Sequence, residues 1–160
     1  MLKSNLPPYT SIISSPIGKI GIVLQDNKLI KLTLLPDTDS TLSAQDNLSQ
    51  HITDELNHYF HNPQHHFKIN FQLHGTPFQQ KVWQALQKIP SGKTVSYGTL
   101  AQQLQTSPRA IGQGCRTNPI LIIVPCHRII AANHLGGFAG TTSGSWMQIK
   151  SWLLRHEERA

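Results

Sequence analysis

Cysteine is scarce: the two in this chain of 160 residues, Cys115 and Cys126, cannot build the disulfide framework that staples small secreted folds. No Cys-x-x-Cys pair is present, and the nine histidines are scattered or sit in the polar His65-His66 stretch, so neither a metal nor a cofactor is expected. Long hydrophobic runs are missing too. None approaches the roughly 20 residues needed to span a bilayer, and Met1-Leu2-Lys3-Ser4-Asn5-Leu6-Pro7-Pro8 lacks the apolar core of a signal peptide. These absences predict a soluble, cytoplasmic protein in a reducing compartment, with no membrane partner. Acidic residues are few: 8 Asp+Glu stand against 14 Lys+Arg, a formal net charge of +6, which points to a polyanionic partner. Apolar residues, at 38%, are enough for one ordinary domain or two small ones packed together. A folded chain of this size buries about two-thirds of its surface and is stable without disulfides or a structural metal.

The texture of the chain changes near Gly75. Before it, residues 10–14, 20–24 and 29–35 read as strands of a small meander, with Gly18 and Asp26-Asn27 at the connections. The polar stretch 38–50 reads as a loop leading into a helix over 53–60, where Ile52, Leu56, Tyr59 and Phe60 recur at helical spacing. Alternating Phe67, Ile69, Phe71 and Leu73 predict one more strand. After Gly75 the chain is mostly helical. Thr76-Pro77 is a cap followed by a first-turn proline, and Phe78, Val82, Ala85, Leu86 and Ile89 line one face until Pro90-Ser91-Gly92 stops the helix. Ser96 caps a second helix with Tyr97, Leu100, Ala101 and Leu104 inward, and Ser107-Pro108 opens a third that runs to about Arg116. Helix, short turn, helix in a basic chain is the helix-turn-helix arrangement.

That third helix has a distinctive surface. At about 100° per residue, Arg109, Gln113 and Arg116 share its outer face, while Ala110, Gly112 and Gly114 keep its profile low. Glycine costs about 1 kcal/mol in a helix interior, so a pair of them implies close approach to something, and a narrow DNA groove is one such surface.

After Asn118-Pro119 the apolar run Ile120-Leu121-Ile122-Ile123-Val124 delivers Pro125-Cys126-His127-Arg128. A thiolate is the nucleophilic form of cysteine, and an imidazole hydrogen-bonded to the sulfur, with a carboxylate behind it, lowers the thiol pKa. On a strand these neighbours would point to opposite faces, so a local bend is required. Read without that chemistry, Cys126 is a buried inert thiol; a Cys115–Cys126 disulfide is disfavoured in a reducing compartment.

The run Ile123-Val124-Pro125-Cys126-His127-Arg128-Ile129-Ile130, with Asn118-Pro119 and Arg109-Ala110-Ile111-Gly112 before it, resembles the signature of the O6-alkylguanine-DNA alkyltransferases, also called methylated-DNA–protein-cysteine methyltransferases. Thr76-Pro77-Phe78-Gln79-Gln80-Lys81-Val82-Trp83, Ile89-Pro90-Ser91-Gly92-Lys93, Ser96-Tyr97-Gly98-Thr99-Leu100-Ala101 and Trp152-Leu153-Leu154-Arg155-His156-Glu157 resemble that family in the same order. The likeness is firm over about half of the chain. It implies an α/β (α+β) fold, with a small ribonuclease-H-like domain over 1–74 and a mostly helical DNA-binding and alkyl-transfer domain over 75–160. It implies a monomer without cofactor or metal that acts on double-stranded DNA containing O6-alkylguanine.

The resemblance also implies roles. Cys126 would accept the alkyl group from a flipped guanine, His127 would be its base through a bound water, and Glu157 would be the carboxylate behind the histidine. Tyr97 would donate toward the purine N3. Arg109 would enter the base stack left by the flipped nucleotide, with Ala110, Gly112, Gln113 and Arg116 on the same DNA-facing helix and Asn118 at the hinge behind it. Tyr97, Cys115, Ile129, Phe138 and Ala139 would line the guanine pocket. One departure is the connection over 141–148, which reads as about five residues longer than is usual in the family and bears on pocket size. Two other readings compete: a helix-turn-helix module that binds lesions without chemistry, and a turnover cysteine hydrolase built on Cys126, His127 and Glu157.

Overall fold

A computed structural model describes residues 9–35, 40–139 and 144–158. Three antiparallel strands form first, β1 (Ser11–Ile13), β2 (Lys19–Gln25) and β3 (Lys28–Leu35), paired in the order β1-β2-β3. The β2–β3 connection is the Asp26-Asn27 turn, where both residues adopt positive φ, a conformation these short polar side chains tolerate. Ile20 and Ile22 on β2, with Leu29, Leu32 and Leu34 on β3, fill the core beneath the sheet.

Helix α1 (Asn47–His61) begins six residues before the position predicted from apolar spacing, because the Asp46 side chain accepts from the Ser49 backbone at 2.7 Å and caps it. Residues 47–50 are thus helical rather than loop, and 38–39 lie outside the described residues. The strand expected over 67–73 is reduced to one parallel bridge between Phe71 and Leu29. Its alternation is nonetheless real in burial: Phe67, Ile69, Phe71 and Leu73 are half-buried and the residues between them exposed.

The helical half follows its punctuation. Thr76 and Gln79 form a reciprocal capping box at the start of α2 (Pro77–Gln87), Ser96 caps α3 (Tyr97–Gln103), and Ser107 caps α4 (Pro108–Arg116). Strand β4 (Val95–Ser96) runs parallel to β5 (Ile129–Ile130), which joins the start of α3 to the segment after Cys126. Helix α5 (Ser145–Glu158) is the last described element. Its first turn contains residues 145–148, so that part of the connection read as a long loop is helix; residues 141–143 lie outside the described residues. The N-terminal sheet also reaches the helical half, since Leu32 N–H donates to Pro119 O at 2.9 Å and Leu121 N–H to Leu32 O at 3.0 Å. One apolar cluster unites both halves. Among the described residues, no helix is long and apolar enough to cross a membrane.

The two glycines of α4 separate into different cases. A Cβ on Gly114 would lie 2.9 Å from Cγ1 of the fully buried Val82 on α2, and the Gly114 carbonyl accepts from the Trp83 indole at 2.9 Å. Gly114 is therefore fixed by helix–helix packing, which corrects the reading that both glycines thin the outer surface. Gly112 has only Tyr97 Cε1 at 4.0 Å from such a Cβ. Overpacking costs about 1–3 kcal/mol against a helix-propensity gain of at most ~1 kcal/mol. Gly114→Ala should therefore lower stability by about 1 kcal/mol in denaturant melts, while Gly112→Ala leaves it unchanged or raised.

Candidate active site

The approach to Cys126 is a tight loop. Val124 N–H returns to Ile120 O at 3.0 Å, and Ile122 sits at φ 73°, a left-handed conformation that costs a β-branched residue on the order of 1–3 kcal/mol. Asn118, at the exit of α4, holds that loop closed. Its Nδ2 donates to Val124 O at 2.7 Å and its Oδ1 accepts from Ile120 N–H at 3.0 Å, both buried. The side chain thus ties the end of α4 to the backbone just before the cysteine.

Pro125 then leads into a 3₁₀ turn, Cys126–Arg128, which supplies the bend that a strand would lack. Cys126 is buried and His127 fully so. The imidazole Nε2 lies 2.9 Å from Glu157 Oε2. Because an ionised carboxylate only accepts, Nε2 carries the proton and Nδ1 presents its lone pair. Nδ1 is buried and has no hydrogen-bond partner among the described residues.

Glu157 is held by three side chains from two elements, His127 and Arg128 of the 3₁₀ turn and Tyr59 of α1. Arg128 forks onto it, Nε to Oε1 at 2.9 Å and Nη2 to Oε2 at 2.8 Å, and Arg128 Nη1 also donates to Ile89 O at 2.6 Å. Tyr59 of α1 donates its hydroxyl to Oε2 at 2.7 Å. Burial alone would raise the Glu157 pKa, but hydrogen bonds and charge from His127 and Arg128 override it and hold the carboxyl well below the usual range. Burial lowers His127 despite the carboxylate beside it, so the imidazole is neutral. Burial likewise raises the Cys126 thiol, opposed by the Asn118 amide and the charge of Lys150. The resting pair is a neutral thiol and a neutral imidazole, not the thiolate that sequence chemistry suggested. No hydrogen bond joins the sulfur to the His127 ring, so the imidazole does not depress the thiol.

Of the remaining candidates, Tyr97 and Cys115 lie close enough to the Cys126 thiol to interact with its charge. Tyr97, half-buried at the start of α3, turns its hydroxyl toward Gly137 O at 3.5 Å, and burial pushes its pKa up to about 12. Gly136 (φ 76°) passes so close to the Tyr97 ring that a Cβ would sit 2.8 Å from Cε2. Cys115 is buried, and both cysteines are free. Phe138 is buried edge-to-face against Trp146, their centroids 6.0 Å apart, and Ala139 has φ 51°. On α4, Arg109, Gln113 and Arg116 are exposed, Ala110 and Gly112 half-buried.

Two supporting residues escaped the sequence reading. Lys150 of α5 is buried and donates to three carbonyls, Ile129 O at 2.6 Å, Leu135 O at 2.7 Å and Gly137 O at 2.8 Å, which pins the 135–137 loop to β5. Burial lowers its pKa to about 8. Its signal was its spacing, for Lys150, Leu153 and Glu157 share one buried stripe of α5. Tyr59 read as core from its spacing, and its hydroxyl, which a buried tyrosine must satisfy, was the overlooked feature.

The family model for the DNA-binding domain of 6-O-methylguanine DNA methyltransferase matches residues 77–159. The chain belongs to that family. A methylated-DNA–protein-cysteine methyltransferase of Methanosarcina mazei is 37% identical over 157 residues, 94% of this chain and 97% of the relative. The enzyme of that name from Mycobacterium tuberculosis is 40% identical over 136 residues, 80% of this chain and 82% of its own. Among solved structures, Mycobacterium tuberculosis OGT in complex with DNA superposes with a TM-score of 0.79 at 37% identity, covering 92% of this chain and 91% of that one. An O6-methylguanine DNA methyltransferase from Methanococcus jannaschii gives 0.66 at 29%, covering 92% of each.

Glu157 and His127 both have depressed pKa values in the folded protein, so each contributes stability that is complete above its unfolded value and lost as pH falls. Acidification should weaken the fold first below the ordinary histidine value of 6.5 and again below the ordinary carboxylate value of 4.5. Glu157→Gln should lower stability at neutral pH by about 2–4 kcal/mol by leaving the half-buried Arg128 without its counter-charge. That difference should shrink toward about pH 3, below the ordinary carboxylate value of 4.5, in melts recorded across the range.

Proposed function

We propose that this protein repairs DNA by transferring the alkyl group of an O6-alkylguanine in duplex DNA irreversibly to Cys126, once per molecule. The observation that carries the reading is the pairing of a buried, neutral Cys126 with His127, whose proton-bearing Nε2 is locked on Glu157 and whose Nδ1 is left as the base. The names of the relatives support it.

In this reaction the thiol proton passes to Nδ1 of His127 through a water, and the imidazolium formed is steadied by Glu157. Sulfur attacks the alkyl carbon in line, the S–C bond forms and the C–O6 bond breaks. Tyr97, whose high pKa keeps it protonated, gives a proton toward purine N3, so guanine leaves neutral. His127 then returns the thiol's proton to Tyr97. The product is a thioether, which no side chain here can cleave.

The exposed Arg109, Gln113 and Arg116 of α4 face the duplex, Gly112 and Ala110 admit the backbone closely, and Arg109 fills the gap left by the flipped base. Flipping costs a few kcal/mol, so a filler is physically useful. Asn118 couples that helix to the Cys126 loop. Tyr97, Cys115, Ile129, Phe138 and Ala139 surround the base, and Lys150 fixes the loop that carries Gly137. Residues 1–74 form the N-terminal domain and 75–160 the reactive one, with cytoplasmic placement and a monomeric state fitting a repair protein that needs only DNA.

Incubation with a duplex carrying one O6-methylguanine should add a single methyl to the intact protein, mapped by peptide mass to Cys126, with stoichiometric guanine restored and no second turnover. Binding without mass gain would favour a lesion-binding module; multiple turnover on esters or amides would favour a hydrolase. Because His127 is held below its ordinary value, single-turnover rates should stay level from about pH 8 to pH 6.5 and fall only below that. Methylated Cys126 places a new group in a packed site, so thermal melts should show the reacted protein about 1–3 kcal/mol less stable.

A further inference from the structure

Five of the nine histidines, His51, His58, His61, His65 and His66, fall within residues 51–66, outside the reactive half of the chain. In the linear sequence they look dispersed. In the fold, Glu55 and His58 project from adjacent turns of α1, and the chain then reverses after the Asn62 cap. His65 N–H donates to Asn62 O at 2.9 Å and Gln64 N–H to Asn62 Oδ1 at 3.0 Å, which returns His65 against the helix. One ligand atom from each of Glu55, His58 and His65 lies within 4.8 Å of the other two.

We propose that Glu55, His58 and His65 bind a zinc-class divalent cation. Glu55 is buried at 5% exposure, yet its carboxylate meets more imidazole than one charge requires. His65 Nε2 contacts its Oε2, and His51 Nε2 is 3.8 Å from its Oε1. The His58 and His65 rings converge edge-to-face with centroids 5.2 Å apart. Two imidazoles and one carboxylate with an open fourth position suit a borderline metal such as Zn²⁺, whereas Mg²⁺ and Ca²⁺ require more oxygen ligands. The ligands are already oriented. His65 packs edge-on against Phe67 at 5.9 Å, and the Lys68 backbone hydrogen-bonds Glu55 while its carbonyl accepts from His51 at 2.7 Å. His58 is exposed, so an ion reaches the site from solvent.

The ion clamps the reversing segment to α1, the helix whose Tyr59 reaches Glu157, and so stabilises the folded state by mass action without taking part in alkyl transfer.

The test uses untagged, full-length Cys126→Ser protein, which removes a competing thiol, titrated with Zn²⁺ by calorimetry and with Co²⁺ by visible absorption. One equivalent should bind, and excess Mg²⁺ should not compete. His58→Ala and His65→Ala should each weaken binding at least about tenfold, while His61→Gln and His66→Gln leave it within about twofold. Paramagnetic broadening by Co²⁺ in the chain with His58 and His65 intact should strike those two rings first, which keeps the test independent of variant folding. Absence of saturable binding, binding that survives the His58→Ala/His65→Ala double substitution, or broadening centred on other histidines would overturn the proposal.

Discussion

The Glu157 carboxylate is the constraint on which the rest of the site depends. Its Oε2 accepts from Tyr59, His127 and Arg128, and its Oε1 from the same Arg128. Those donors come from α1 and the 3₁₀ turn, and Arg128 is itself held by donating to Ile89 O just after α2. A buried carboxylate is costly unless paired and saturated with hydrogen bonds, and here it is both. The arrangement also joins the halves of the chain, because Tyr59 precedes the reversal after α1 while His127 and Glu157 lie in the helical half. His156 adds a second tie, its Nε2 donating to Tyr59 O at 2.8 Å.

A second set of contacts clamps the flanking backbone. Asn118 closes the strained loop containing Ile122, and Lys150 fixes the 135–137 segment by three carbonyls. Between them the Cys126 backbone has little freedom, so the sulfur is placed by its surroundings rather than by a bond of its own to His127. Lys150 also brings a positive charge that acts on both cysteines, and burial with a pKa near 8 leaves it mostly protonated at neutral pH. It thereby favours a thiolate at Cys126 without forming an ion pair that would have to be broken during reaction.

Much of this was legible because the governing signals are local. Thr76-Pro77, Ser96 and Ser107-Pro108 announce helix starts through caps that span four consecutive residues, and the helices begin where those caps stand. Asp46 is the same kind of cap, but the polar stretch around it masked the signal and the start of α1 was placed late. The 67–73 segment kept its alternating burial while losing its ladder, since burial follows side-chain pattern and pairing requires a neighbour in register. The Cys-His run, Asn118 and Glu157 stood out as motif. Tyr59, Lys150 and the role of Arg128 did not, because each acts on a partner distant in sequence. The histidines between 51 and 66 were illegible for that reason too: only the reversal after Asn62 sets His65 beside Glu55.

The neutral thiol shapes what chemistry fits this site. A turnover hydrolase gains from a standing thiolate–imidazolium pair, and must also admit water to release its acyl group. Here burial opposes both ionised forms, so sulfur and imidazole exchange charge only as the proton moves, with Glu157 already ionised to receive the imidazolium. Under the proposed reaction this has a second benefit. A buried neutral thiol is a poor target for stray oxidants and electrophiles, which react with exposed thiolates. A protein whose nucleophile works once gains more from protecting that sulfur until the right base is seated than from keeping it ionised.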